Sequence, residues 1–488
     1  MSQAVSEVTS QPTSRAASPN DIPLCVDLDG TLTPVDTLEE SLLSLAKASP
    51  LALLMLIFWL LRGGKAAMKR EVAARAKYDV SLVPFNQPLL DWLTAEHAAG
   101  RRLVLATAAD ASIANDMAAR VGLFDQVLSS DGATNLSAGA KQRALVAQFG
   151  EHGFDYAGNA RVDEKIWRSA RNAIVVGSSA QVERAREVAN VAQVFPTVRG
   201  GRFVWLKALR IHQWAKNLLI FLPALLAHSI LQPGVLIESA AAFLAFSLCA
   251  SSIYLINDLL DLHADRHHPR KRRRPFAAGV LSARGGLSVS FGLLAVAVGL
   301  ALLVGYPFAL VLAGYYGLTW AYSLRLKRAA IVDVMTLAGL YTLRIIAGAA
   351  ATATPLSFWL LAFSIFIFLS LGIVKRYTEI LEMSERGQIT GRGYSAKDLP
   401  LLLNLGVSAG YCTVIVVALY INSRDSTLLY HHSKPLWLIC PLLLYWLSRV
   451  WLLTTRGEMH DDPVVFALRD RISLYVLGLL GLIVLISI

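Results

Sequence analysis

The stretch Ile253–Arg274, IYLINDLLDLHADRHHPRKRRR, decides how the second half of the chain must be read. Ile253 to Ile256 close a long apolar run. Asn257, Asp258, Asp261 and Asp265 follow, and then comes the basic run Arg270, Lys271, Arg272, Arg273 and Arg274. On a helix, positions 258, 261 and 265 lie within about one third of the circumference. Three carboxylates on one face at an apolar boundary repel one another unless a divalent cation or cationic partners neutralise them. Mg²⁺ typically bridges carboxylates to substrate phosphates, so the pattern points to Mg²⁺ and a phosphorylated substrate. The basic run suits the same phosphates, or marks a cytoplasmic loop.

Outward from this stretch, residues 206–488 read as an all-α membrane domain. About nine apolar runs of bilayer-spanning length centre near 219, 247, 295, 315, 340, 366, 410, 443 and 479. Composition agrees: 55% of the 488 residues are hydrophobic and only 17% are charged, with mean hydropathy +0.49. Disorder is excluded, and the composition argues against a wholly soluble protein. A net charge of +11 would suggest nucleic acid in a soluble protein. In a membrane protein it reflects loops held at the anionic leaflet, and no nucleic-acid partner is expected. Alternate loops are basic: Arg266 to Arg274, Arg325 to Arg328, Lys375 to Lys397 and Arg456 to Arg471. The expectation is a multi-pass inner (plasma) membrane protein, with these loops and the amino-terminal domain cytoplasmic and the carboxyl terminus outside. The four cysteines, Cys25, Cys249, Cys412 and Cys440, form no CxxC pair and indicate neither a metal site nor a disulfide framework.

Residues 1–20, rich in Ser, Thr, Pro and Ala, read as a disordered tail without a signal peptide. Residues 21–205 read as a soluble α/β domain with a parallel sheet, its strands expected at Pro23–Asp27, Arg102–Ala106 and Ala173–Val176. The apolar segment Leu51–Leu61, too short to span, is either a buried cap helix or lies in the membrane interface. Asp27-Leu-Asp29-Gly30-Thr31 places two carboxylates at a strand's carboxyl end, where both can project into one crevice. One can attack a phosphoryl group while the other handles the proton. Thr107, Lys141 and Gly158-Asn159 with Asp163 follow in order. This series resembles the haloacid dehalogenase-like phosphatases, over roughly residues 21–200. The resemblance implies Asp27 as nucleophile, Asp29 as general acid/base, Thr107 and Lys141 as phosphoryl holders, and Asp27, Asp29, Asn159 and Asp163 around Mg²⁺. Asn159 departs from the family pattern, which has Asp there.

The pattern N-D-x-x-D-x-x-x-D after about two spans resembles the UbiA-type intramembrane prenyltransferases. That resemblance implies a prenyl diphosphate bound through Mg²⁺ by two Asp-rich motifs. Here the second motif is replaced by Lys375-Arg376-Tyr-Thr-Glu379. Gln213-Trp214-Ala-Lys216-Asn217, Tyr322-Ser323-Leu-Arg-Leu-Lys327, Asp333-Val334 and His460-Asp461-Asp462-Pro463 further resemble one branch, the decaprenyl-phosphate phosphoribosyltransferases. There the sugar donor carries the diphosphate and the lipid a single phosphate, which suits one metal site beside a cationic one.

The expected activity is transfer of 5-phosphoribosyl from phosphoribosyl diphosphate to a polyprenyl phosphate, with a fused phosphatase, toward a cell-envelope glycolipid precursor. Asn257, Asp258, Asp261 and Asp265 form the expected metal site, and Asp258 and Asp261 act in catalysis. Lys216, Arg274, Lys327, Arg344, Lys375 and Arg376 are candidate phosphate binders. Tyr322, Asp333, Glu379, Asp461 and Asp462 are further candidates. Asp333 and Arg344, three helical turns apart, share a face without touching, so each serves a separate partner. The alternatives are a conventional UbiA-type prenyltransferase with an aromatic or other acceptor, and a non-catalytic lipid-binding or transport protein. A homo-oligomer is possible from sequence.

Overall fold

The computed structural model describes residues 22–76, 78–197, 200–385, 393–459 and 462–488; the expected tail lies outside them. The chain forms two compact units. The first comprises Met1–Trp205 together with Asp258–Gly286, and the second Leu206–Asn257 with Leu287–Ile488. The segment carrying Asp258, Asp261 and Asp265 groups with the amino-terminal unit.

The first unit holds a six-stranded parallel sheet: β1 Leu24–Val26, β2 Leu103–Asp110, β3 Gln126–Ser130, β4 Asp155–Gly158, β5 Ala173–Gly177 and β6 Val191–Pro196. Their order is β3-β2-β1-β4-β5-β6. Both faces of the central strands are buried, as parallel sheets require. Leu24, Val26, Leu105 and Ile174 pack on one face against Leu89, Leu93 and Met117. Cys25, Val104 and Val175 pack on the other against Leu145 and Trp167. The three strands expected from sequence are β1, β2 and β5. The others are short or carry polar residues, so their apolar signal is weak. Strand order reverses between β1 and β4, which opens a crevice at their carboxyl ends.

Between β1 and β2 the chain makes α1 (Thr37–Ala48), a 3₁₀ turn (Pro50–Leu54) and α2 (Met55–Arg75). Asp36 caps α1 by accepting from Leu38 N and Glu39 N, both at 3.0 Å. Helix α2 is broken at Gly63 and Gly64, the latter at φ +68°. The Leu51–Leu61 segment is not a buried cap helix: Trp59 packs with Leu45 and Val72, but most of its large apolar side chains are exposed.

The second unit is helical. Among the described residues, seven helices are long and apolar enough to cross a membrane: Pro50–Arg75 in the first unit, and beyond residue 206 Pro233–Leu260, Ala283–Val304, Val332–Ala351, Phe358–Ser384, Ala396–Ile421 and Lys434–Thr455. These last six compare with nine expected over 206–488. The run near 219 is not one helix but a 3₁₀ segment, Ile211–Phe221, followed by Leu222–Leu226 with Pro223 in its first turn. The runs near 315 and 479 form Tyr306–Leu324, of 19 residues, and Arg471–Ser487, of 17. Close packing depends on small residues. A Cβ at Gly348 would stand 2.0 Å from Ile220 O, so no other residue fits there without a shift.

Candidate functional site

The crevice of the first unit gathers the residues singled out around Asp27. Asp27 follows β1 and is buried; its Oδ1 accepts from Lys141 Nζ at 2.6 Å. Lys141 comes from α5 (Ala138–Phe149; α3 is Gln87–Ala98 and α4 Ala111–Val121). Its Nζ also donates to Tyr156 Oη at 3.0 Å, and that hydroxyl donates to Asp163 Oδ1 at 3.2 Å. Asp163 Oδ2 accepts from Asn159 N at 3.0 Å and Ala160 N at 2.9 Å. Asp29 Oδ1 accepts from Thr37 N at 2.8 Å, at the start of α1. Asn159, after β4, takes a 3.3 Å hydrogen bond on Oδ1 from the Thr31 hydroxyl. Gly30 lies directly under it at φ +75°, where a Cβ would come within 2.1 Å of Asn159 Nδ2. Thr107 is fully buried, and its Oγ1 accepts from Ala109 N at 3.0 Å.

Burial, reinforced by the Asp36 carboxylate, pushes Asp29 up to about 7. Burial and the Asp27 carboxylate push Asp163 up to about 6. Asp27, Asp29 and Asp163 offer carboxyl oxygens, the donor type a hard divalent cation takes, but among the described residues no three such side chains converge into a metal cage as they stand. Sequence reading passed over two groups here. Tyr156 links Lys141 to Asp163. Lys69, from α2, donates to Ala108 O at 2.6 Å and Asn135 Oδ1 at 3.0 Å. Desolvation lowers its pKa.

The acidic motif is arranged differently from a single helical face. The helix Pro233–Leu260 ends just before Asp261, and a second short helix, Leu262–His267, carries Asp265. The break separates the three carboxylates into a pair and a single. Arg274 Nη1 lies 3.0 Å from Asp258 Oδ1 and 2.7 Å from Asp265 Oδ2, and both carboxylates are buried. Asp261 Oδ1 instead meets Lys47 Nζ of α1 at 2.7 Å, and both side chains are partly exposed. Among the described residues, no three His, Cys, Asp or Glu side chains converge as they stand into a metal cage. Arg274 Nη1 nonetheless marks a point that two buried carboxylates reach together and where they accommodate positive charge. Their oxygens fit a hard cation. Asn257 Nδ2 donates to Ser323 Oγ at 3.2 Å.

The second unit builds a cluster around Asp462. Its Oδ2 takes Lys216 Nζ at 2.6 Å and Lys375 Nζ at 3.1 Å. Its Oδ1 accepts from Tyr341 Oη at 3.1 Å and from Val464 N at 3.2 Å. Lys216 Nζ and the Arg344 guanidinium lie 5.7 Å and 5.4 Å from the centre of the Tyr341 ring. Arg344 Nε donates to Asn217 Oδ1 at 2.8 Å, and Asn217 Nδ2 to Ser247 Oγ at 2.9 Å. Two cations thus share one carboxylate, and the Arg344 guanidinium stands over the tyrosine ring beside them.

Arg376 stands apart from that cluster. It is fully buried, donates to both oxygens of Asp333 at 2.6 and 2.9 Å, and pairs with Glu379. Tyr322 Oη donates to Asp333 Oδ1 at 2.9 Å. Asp333 and Arg344 therefore have separate partners. Lys327 is half-buried in the turn Leu326–Arg328, and Asp461 lies outside the described residues. Tyr341 went unmarked because a tyrosine on an apolar helix reads as packing, and Asn217 was quoted only as part of the motif around Lys216.

Residues 218–475, more than half of the chain, match the UbiA prenyltransferase family, and the chain belongs to that family. It is 39% identical to an uncharacterized protein, y4nM, of Sinorhizobium fredii, over 94% of this chain and 90% of that one. It is 33% identical to a decaprenyl-phosphate phosphoribosyltransferase of Mycobacterium tuberculosis, over 55% of this chain and 88% of that one. A UbiA homolog from Archaeoglobus fulgidus, bound to GPP and Mg²⁺, matches 57% of this chain and 99% of its own with 18% identity and a TM-score of 0.45.

Proposed function

We propose that this multi-pass membrane protein transfers 5-phosphoribosyl from phosphoribosyl diphosphate to a polyprenyl phosphate, and that its amino-terminal unit is a haloacid dehalogenase-like phosphatase. The observation that carries the transferase reading is the Asp462 cluster. Lys216 and Lys375 bring more positive charge to one carboxylate than it can balance, and Arg344 stands over the same Tyr341 ring; this suits a monophosphate. A second acidic motif, which would hold a second metal-bound diphosphate, is replaced here by cations. The similarity to decaprenyl-phosphate phosphoribosyltransferases over the same part of the chain supports the same substrates.

In this reading an oxygen of the lipid phosphate attacks the anomeric carbon, and the bond from that carbon to diphosphate breaks. The attacking oxygen is already anionic, so no base is needed. Asp258, Asp261 and Asp265, with Asn257, would hold Mg²⁺, which supplies charge neutralisation to the departing diphosphate. Arg274 and Lys327 would bind phosphate oxygens. Arg376, already committed to Asp333 and Glu379, positions the helix that bears Lys375.

The product keeps a 5-phosphate. Asp27 would attack that phosphorus while Asp29, protonated near neutral pH, gives its proton to the leaving sugar oxygen; water then frees phosphate from Asp27. Thr107 and Lys141 would hold the phosphoryl oxygens, and Asp27, Asp29, Asn159 and Asp163 would hold Mg²⁺ there. Carrying both activities on one chain keeps the intermediate at high effective concentration. The test is mass analysis of lipids formed by the purified protein from Mg²⁺, polyprenyl phosphate and phosphoribosyl diphosphate. Phosphoribosylated or ribosylated lipid is expected. Turnover only with prenyl diphosphate and an aromatic acceptor would replace this reading with conventional prenyl transfer.

A further inference from the structure

The helix α2 and the turn before it have two dissimilar halves, divided at Gly63 and Gly64. Beyond the break the helix belongs to its unit: Ala66, Val72 and Ala76 are buried, and Lys69 reaches into the crevice to Ala108 and Asn135. Before it, large apolar side chains stand in the open. Leu51 is 76% exposed, Leu54 72%, Ile57 67% and Leu61 81%, with Met55 and Phe58 also exposed. On the opposite side Trp59 is buried with Leu45, and Leu56 packs beside it. A contiguous apolar face of this kind is not left to water in a stable protein.

Charge identifies the occupant. From Ser41 to Arg70 the chain holds no Asp or Glu, but it holds Lys47, Arg62, Lys65, Lys69 and Arg70. Arg62 and Lys65, just past the apolar face, are exposed. An apolar face edged by cations complements the acyl-headgroup boundary of an anionic leaflet. Pro50–Arg75 is long enough as a whole to cross a bilayer, but it is broken at Gly63 and Gly64 and its second half packs into the unit, so only Leu51–Leu61 is left to meet lipid. Pro50 to Leu61 rises about 18 Å as a helix, against a hydrocarbon core of about 30 Å. Both of its ends also rejoin the same unit, through α1 and through the buried half of α2.

We propose that Leu51–Leu61 is an interfacial anchor, lying in one anionic leaflet with its exposed apolar face among the acyl chains and Arg62 and Lys65 among the lipid phosphates. The rigid second half of α2 then holds the Asp27–Asp29 crevice close to the membrane surface. A phosphorylated substrate carried on a lipid suits that position, and this last consequence rests on the phosphatase reading above.

The test uses the full chain in nanodiscs containing phosphatidylglycerol, with Cys412→Ser to remove the partly accessible thiol. An environment-sensitive fluorophore is placed by Leu54→Cys or Ile57→Cys, and a control by Glu183→Cys, which lies on an exposed helix of the same unit. Expected are blue-shifted emission at positions 54 and 57, strong quenching by spin-labelled acyl chains and weak quenching by aqueous iodide, with the reverse at 183. Arg62→Glu with Lys65→Glu should weaken lipid quenching at 54, more so in anionic than in zwitterionic discs. Iodide quenching at 54 and 57 without lipid quenching would overturn the anchor. Protection from both quenchers would also overturn it, showing that a protein surface, such as a second copy, covers the face. Neither result bears on whether Asp27 is a nucleophile, so the anchor and the phosphatase reading fail separately.

Discussion

Arg266 closes on Glu40 with two nitrogens, Nη1 at 2.8 Å from Oε2 and Nη2 at 2.5 Å from Oε1, and both side chains are buried. Tyr78 Oη donates to the same Oε2 at 2.9 Å. Arg266 follows Asp265 directly, and Glu40 lies on the helix whose first N–H, that of Thr37, donates to Asp29. One ion pair therefore fastens the acidic-motif segment to the element that begins at the crevice. Glu40→Gln leaves a buried guanidinium without its counter-charge and should destabilise the protein by about 3–5 kcal/mol. Lys47→Ala, which removes the partly exposed partner of Asp261, should change stability by less than about 1 kcal/mol. Thermal denaturation of the two purified variants measures the contrast.

Asp258→Asn and Asp261→Asn should each reduce transferase turnover on the order of 10²-fold or more, the scale of a lost electrostatic stabiliser. The protein should still purify as a folded species. Radiolabelled phosphoribosyl diphosphate incorporated into lipid is the readout. Near-normal turnover in both variants would remove the motif from the chemistry.

Lys375 and Arg376 are neighbours in sequence with opposite expected phenotypes. Lys375→Met, like Lys216→Met, should raise KM for one phosphorylated substrate while the protein remains folded. Arg376→Met strands Asp333 in the helical interior and should cost stability on the order of 3–5 kcal/mol, seen as loss of folded protein on extraction. Equal substrate binding by the Lys375→Met and wild-type proteins would leave Lys375 as a topology determinant only.

Asp27→Asn should leave the transferase intact and make the 5-phosphorylated lipid accumulate. Wild-type protein should release inorganic phosphate from the same mixture. Identical lipid products and no free phosphate from either protein would show that the amino-terminal unit is not this phosphatase.

Asp29 at about 7 and Asp163 at about 6 lie above the ordinary carboxyl value of 3.8. Between those limits the folded chain binds more protons than the unfolded one, so without metal stability falls as pH rises from about 4 to about 7. Mg²⁺ held in the crevice as proposed would displace the Asp163 proton. The Mg²⁺-induced rise in melting temperature should then be larger at pH 8 than at pH 5, and the pH-dependent part should shrink in Asp163→Asn.

The sequence by itself determined the class of each half. Apolar runs of spanning length required a helical membrane domain. The short apolar strand before Asp27-Leu-Asp-Gly-Thr placed two carboxylates at a strand's carboxyl end, because strand hydropathy is a local property. Lys141 and Asp163 were singled out by a motif order that resembles the haloacid dehalogenase-like phosphatases; the structure puts Lys141 on Asp27 and Asp163 on Tyr156. Only the tertiary structure decided the pairings. Arg376 and Lys375 are indistinguishable as charges in a row, yet one is buried against Asp333 while the other shares Asp462 with Lys216. Asp258, Asp261 and Asp265 were expected on one helical face, and a break at Asp261 separated them. Tyr156 and Glu40 carried no signal as a core tyrosine and a helix glutamate. Charge pairing depends on which side chains are desolvated together, and that is set by packing between segments as distant as residues 40 and 266, which no local pattern encodes.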